Sequence, residues 1–265
     1  MKPTTTHALS ALFAAAALLA GTPATASAAA TAINFNGAIN NVTGPGSMAA
    51  VGGLVTTFNT ISAFGIAPMA GGDRQVMSFS GLAPLNASGL QFTHATAAPN
   101  TTGYTILMDV YYTSIPNYVS LLQLDNANDG DLFARGSGAA GINSDYAGAS
   151  LTSGSWHRIV ATVDNSLAID FLKIYVDGTQ INGVDGYDSA RFDLSDPSFL
   201  VFADEDGETA AGYISQFYFE DRALAGSEVQ AFGAASAAAI PEPSGLMLGA
   251  AAGLALVGRR RRRSS

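Results

Sequence analysis

Between residues 30 and 232 the apolar residues come in short runs: "AINFN" at 32, "QVMSFS" at 75, "LQFTH" at 90, "YTILMDVYYT" at 104, "YVSLLQL" at 118, "WHRIVATV" at 156, "FLKIYV" at 171, "FLVFA" at 199 and "YISQFYF" at 213. Gly, Asn, Asp, Ser or Pro punctuates most of the gaps, which is the pattern of an all-β chain. In "DFLKIYVDGTQI", Leu172, Ile174 and Val176 alternate with Phe171, Lys173 and Tyr175, and Asp177-Gly178 supplies the positive-φ pair of a tight hairpin. So many short strands in one body predict a sandwich or jelly roll. After the last strand, "EDRALAGSEVQAFG" predicts a short amphipathic helix with Leu224, Val229 and Phe232 packed against an end of the sandwich. There is no cysteine, hence no disulfide framework, thiolate nucleophile or Cys-based zinc site, and a core of about 200 residues does not need such staples.

Charge is distributed unevenly. Lys2 and Arg259, Arg260, Arg261, Arg262 and Arg263 lie in the two ends, so between them six bases face twenty acids, a net charge of −14. A surface of that sign repels nucleic-acid phosphates and anionic membranes and favours cations, so no nucleic-acid partner is expected.

Both ends carry addresses. Residues 1–28 combine Lys2, an apolar stretch from Ala8 to Ala20, a break at Pro23 and an A-x-A site at Ala26-Ser27-Ala28, which predicts a signal peptide with an N-terminal helix. At the other end, Leu246 to Val257 make an apolar helix about 18 Å long against a hydrocarbon core of about 30 Å. This is a short transmembrane helix, too thin for a permanent anchor, and the five arginines after it form a stop-transfer block that stays cytoplasmic. The domains expected are therefore a signal peptide at 1–28, the sandwich at 29–233, a small-residue linker at 234–240 and a sorting segment at 241–265.

Two resemblances follow from these residues. Pro241, Glu242 and Pro243, the apolar run and the arginine cluster, in that order, resemble a PEP-CTERM sorting signal. That implies recognition and cleavage by an exosortase-type enzyme, transient contact with the inner membrane, and display at the cell surface or in the extracellular matrix. "SWHRIVATVD", "LKIYVDG", "FLVFADEDGE" and "GYISQFYFEDRALAGSEVQAFG" are similar to the back half of laminin-G-like, concanavalin A-like jelly-roll domains, over Tyr104 to Phe232. Such domains usually cap the terminal helix with Ser or Thr. Ala225 stands there in this chain, so the helix start is expected to shift or fray.

Several residues are candidates for a site. If the strand through "FLVFA" continued, Asp204, Asp206 and Glu208 would project to one face at period two. Three convergent carboxylates could hold calcium at a loop rim, with Asp129 and Asp131 joining if the fold brings the loops together. An acidic solvated loop is the plainer reading. The same acids come within one substitution of the E-x-D-x-E pattern of laminarinase-type glycosidases, but Asp204 stands where Glu is needed and Gly207 suggests a turn. "DNANDGD" at 125–131 fails as an EF-hand because Ala127 and Gly136 occupy ligand positions. "GSGAAG" at 136–141 lacks the following helix that a dinucleotide site requires. Tyr111, Tyr112 and Tyr118 are candidates for a sugar-stacking surface, against a plain packing role.

The function expected is that of an exported, non-catalytic module of the surface or matrix that binds glycan or exopolysaccharide, with calcium as the candidate cofactor. A purely structural envelope component and, more remotely, a laminarinase-type glycosidase are the alternatives.

Overall fold

The computed structural model describes residues 29–81, 88–94, 103–124, 132–185, 189–194, 196–205 and 207–240. The expected signal helix, the sorting motif Pro241–Pro243, the short apolar helix and the arginine cluster lie outside the described residues. Among the described residues no helix is long and apolar enough to cross a membrane.

Sixteen strands are described, and every pairing between them is antiparallel. The larger layer runs β14 (Thr179–Val184), β13 (Leu172–Val176), β12 (Trp156–Asp164), β7 (Gly103–Tyr112) and β16 (Gly212–Glu220). Beyond β16 the edge forks. One half of β16 pairs with β1 (Ala30–Asn34), which carries β2 (Val42–Thr43), and the other half pairs with β5 (Gln75–Phe79), which carries β4 (Thr56–Thr60). The register of β16 against β7 shifts between Ile214 and Gln216, and the Ser215 carbonyl accepts from the Phe35 N–H at 3.1 Å. An extra residue bends a strand and re-aims it, which lets one strand serve two partners.

The smaller layer is built from two sheets. One runs β11 (Asp145–Ala147), β10 (Ala140–Ile142), β9 (Leu132–Ala134) and β8 (Val119–Leu122), and the other β15 (Ser198–Val201), β6 (Gly89–Thr93) and β3 (Ser47–Val51). Gln123 and Leu200 exchange two backbone hydrogen bonds of 2.8 and 2.9 Å, joining the sheets edge to edge. The main core fills the space between the layers. Tyr104, Ile106, Met108 and Val110 of β7 contribute to it with Phe217 and Phe219 of β16, and Met48, Phe92, Val119, Leu132 and Phe199 come from the other layer.

The fold is therefore an all-β sandwich, as the short apolar runs predict. The Asp177-Gly178 turn has φ of 52° and 80° at its two residues, the conformation a two-residue hairpin demands. The terminal helix α2 (Gly226–Phe232), which follows the four-residue α1 (Ile61–Phe64), differs from expectation in two ways. First, it lies on the outer face of the larger layer rather than at an end: Leu224, Val229 and Phe232 pack with Leu107, Val160, Tyr175 and Tyr218 in a second core. The strand alternation puts these four on the side away from the main core, and they need cover. Second, the helix begins directly after Ala225, so its start is not shifted. Glu228, gripped by two Arg222 N–H donors at 2.9 Å each, accepts from the Ala225 N–H at 2.8 Å, and the Thr105 hydroxyl accepts from the Leu224 N–H at 2.9 Å. Those bonds hold the N–H groups of Leu224 and Ala225 at the helix entry, where no side chain caps the first turn.

Candidate functional site

The two layers end differently on their outer sides. In the smaller layer Val119, Leu121, Leu132 and Ala134 point into the main core, so Tyr118, Ser120 and Phe133 project outward. In its other sheet Met48, Phe92 and Phe199 point inward, leaving Ser47, Ala49 and Thr93 exposed and Gln91 half-buried, with the Gln91 amide donating to the Ser198 hydroxyl at 3.2 Å. The outward residues are hydroxyls and amides in one sheet and aromatics in the other, with Ser120 and Phe133 themselves buried.

In the sheet that carries the aromatics, Tyr118, Arg135 and Tyr146 converge. All three are half-buried. The Tyr118 and Tyr146 ring centroids are 5.7 Å apart, Tyr118 meets Phe133 edge-on at 6.4 Å, and the Arg135 guanidinium lies 4.9 Å from the Tyr118 ring and 5.0 Å from the Tyr146 ring. The glycine run explains how they meet. Gly138, with φ of 84°, turns the chain between β9 and β10, and Gly141 faces both Phe133 and Tyr146 across the strands. A Cβ on Gly141 would fall on the Asp145 carbonyl, so only glycine lets β11 close up. No helix follows the run, in keeping with its reading as loop glycine.

Of the three tyrosines expected to form one surface, only Tyr118 is here. Tyr111 and Tyr112 are consecutive in β7 and so point to opposite sides. Tyr112 enters the main core against Phe79 and Phe202. Its hydroxyl is buried with no hydrogen-bond partner among the described residues, and burial pushes its pKa up. Tyr111 is buried on the opposite outer face against Trp156 and Tyr213. Neither can stack on a sugar. The indole N–H of Trp156 donates to the Ala67 carbonyl at 3.0 Å, a packing role.

The acid loop also departs from the period-two expectation. Strand β15 stops at Val201, because Phe202 takes a φ of 60° and stacks on Phe79 at 4.3 Å in the core. Extended geometry ends there, and with it the projection of Asp204 and Glu208 to one face. Asp204 is buried, and its Oδ2 accepts from the Glu208 backbone N–H at 2.7 Å, closing the turn. Asp129, Asp131 and Asp206 lie outside the described residues. Among the described residues no group of three or more His, Asp or Glu side chains is placed to share a metal ion.

A model of the concanavalin A-like lectin/glucanases superfamily, of laminin-G type, matches residues 86–230, more than half of the chain. The chain belongs to this superfamily. Among solved structures, this concanavalin A-like protein is similar to domain 4 of AbnA, a GH43 extracellular arabinanase from Geobacillus stearothermophilus, in complex with arabinotriose. The two share 16% identity over 77% of this chain and 98% of that one, with a TM-score of 0.53. It is also similar to the binding domain of Paraclostridial Mosquitocidal Protein 1 (14% identity, 70% and 46% covered, TM-score 0.45) and to Trypanosoma rangeli sialidase in complex with the inhibitor DANA (16%, 59% and 27%, 0.43). It spans less than half of the latter two chains. A search of the curated proteins gives no match.

The outer face of the larger layer in this concanavalin A-like protein is occupied by its own chain. Arg158, Asp109 and Gln216 stand side by side across β12, β7 and β16, all buried. Arg158 donates twice to Asp109, at 2.7 and 2.8 Å, and Gln216 donates to it at 3.1 Å. Burial drives the Asp109 pKa up, and the two-pronged Arg158 pair pulls it back. The rest of the network grips residues 232–240. Arg158 donates to the Phe232 carbonyl, Gln216 to those of Ser236 and Ala238 (3.1 and 2.9 Å), and Arg74 to that of Ala237 (3.2 Å), while the Ile240 N–H donates to the Gln216 amide oxygen at 2.8 Å. Residues 234–240, expected as a linker, are thus a strap docked on the sheet. Small side chains let it lie flush, and the described body runs to Ile240.

Asp177, beside the strap, holds His157: its Oδ2 accepts from Nδ1 at 2.8 Å, and His157 Nε2 faces the Thr152 hydroxyl at 3.0 Å. The order carboxylate, imidazole, hydroxyl is that of a nucleophilic triad. The Thr152 backbone N–H, however, also donates to Nε2 at 3.1 Å and occupies the lone pair a general base would need. This is a brace for the 152–157 turn.

Proposed function

We propose that this protein is a non-catalytic binding module that takes a glycan chain along the outer face of its smaller layer, with Tyr118 and Tyr146 as the stacking rings. The observation that carries the reading is the aromatic group itself: two half-buried tyrosine rings 5.7 Å apart beside the Arg135 guanidinium, with exposed Ser47 and Thr93 and half-buried Gln91 and Ser198 in the other sheet of the same layer. Sugar rings offer axial C–H faces to aromatic side chains and hydroxyls to amides, and this face offers both partners. The superfamily and the arabinotriose complex of the AbnA domain support the same class of ligand.

The sequence supports the proposed route to the ligand. The leader at 1–28 exports the body. Pro241-Glu242-Pro243, the apolar run and the arginines retain it at the inner membrane until an exosortase-type enzyme cuts the tail, leaving the module at the surface or in the matrix. Calorimetric titration with arabino- and gluco-oligosaccharides tests the binding. Each of Tyr118→Ala and Tyr146→Ala should cost about 0.5–1.5 kcal/mol, roughly 2- to 12-fold in affinity, with the fold retained. Unchanged affinity in both variants would remove the face from consideration, and turnover of a β-glucan by the protein would contradict a non-catalytic role.

A further inference from the structure

We propose that the open face selects carboxylated sugars, and that Arg135 is the residue that reads the carboxylate. The inference rests on the glycan-binding reading of the same face.

The body has six basic residues, and three of them are spent on the fold. Arg158 is paired with Asp109, Arg222 with Glu220 and Glu228, and Arg74 donates to the Ala237 carbonyl and to Asn34. Arg135 is different. Among the described residues its guanidinium donates no hydrogen bond and enters no ion pair, although twenty acids surround six bases in this part of the chain. Two rings hold it instead, at 4.9 and 5.0 Å from its central carbon.

The two rings, 5.7 Å apart and inclined at 64°, lie to one side of the cation and leave the rest of its N–H edge without a partner among the described residues. Guanidinium carries five N–H donors in a rigid fork whose spacing matches the two oxygens of a carboxylate, and a fork already fixed in place loses little freedom when it pairs. The rings that fix Arg135 are those proposed to carry the sugar. A uronic acid residue stacked there would bring its carboxylate to the guanidinium edge. Neutral sugars would use the rings and leave the donors to water. The acidic body repels a polyanion at long range, but at 0.15 M salt that repulsion is screened beyond about 8 Å, and a contact pair is screened much less.

The test uses the full chain at 0.15 M salt, with trigalacturonate and its methyl ester as probes. The two have the same length and the same ring faces and differ in charge. The expected result is that the acid binds about tenfold or more tightly than the ester, as for a hydrogen-bonded charge pair. Arg135→Gln should erase the difference. Arg135→Lys, which keeps the charge without the fork, should restore only part of it. Equal affinity for acid and ester in the wild type, or a preference that survives Arg135→Gln, overturns the inference while leaving the glycan face standing. Failure of both probes and of neutral oligosaccharides to bind overturns the glycan reading as well.

Discussion

The two outer faces of the sandwich are built from the same kind of antiparallel strands, yet one is closed by the protein's own chain and the other keeps part of its outward residues exposed or half-buried. On the larger layer, alternation leaves Leu107, Val160, Tyr175 and Tyr218 outside the main core together with the charged row Arg158–Asp109–Gln216. Apolar surface loses by exposure, so α2 and the strap fold back over it, and the charges buried with it are kept by the hydrogen bonds they make to each other and to the strap. On the smaller layer the outward residues that are exposed or half-buried are Ser47, Ala49, Thr93, Gln91 and the Tyr118–Arg135–Tyr146 group. Much of that set is at home in water. The lesson is that a sheet face needs its own chain as cover when its outward residues cannot be solvated, and is available to a ligand when they can.

The comparison can be broken most severely at Asp109. Asp109→Ala leaves Arg158 buried without its partner and should destabilise the fold by about 3–5 kcal/mol in chemical denaturation. Ending the chain after Phe232 is the next largest change. It removes the strap's hydrogen bonds from Gln216 and Arg74 and should cost about 2–4 kcal/mol, whereas ending it after Ile240 should leave stability unchanged. On the open face the effects should reverse in kind: Tyr146→Ala should change stability by less than about 1 kcal/mol while weakening oligosaccharide binding.

The smallest expected effect is a pH dependence at the strap's edge. Burial tends to raise the Asp177 pKa, but the hydrogen bonds from His157, from the Arg158 N–H and from Ala235 outweigh it, and the net shift is downward. A carboxylate with a depressed folded pKa stabilises above its unfolded value, near 3.9, and loses that contribution as pH falls through the folded one. Asp177→Asn should therefore flatten the acid limb of a stability–pH curve below about pH 4 and leave the neutral region parallel.

Local chemistry was legible in the sequence. The short punctuated runs announced the strands, Asp177-Gly178 the hairpin, and the Leu224, Val229 and Phe232 spacing the helix. What was hidden depends on partners distant in the chain. The strap reads as a tether because its own residues are alanine and serine; what holds it are side chains from β12, β16 and the Arg74 segment reaching its backbone. The opposed directions of Tyr111 and Tyr112 followed from strand period two and could have been read. Arg135 and Tyr146 carried no local signal, since β9 and β11 are three residues each and their pairing through Gly141 is set by the hairpins.

Hydrogen exchange of the full chain with and without a bound oligosaccharide tests the asymmetry most directly. New protection should be confined to the smaller layer, in peptides covering residues 118–122 and 132–147, with residues 156–176 and 212–220 unchanged. Protection appearing on β12, β13 and β16 instead would place the ligand on the strapped face and contradict the account.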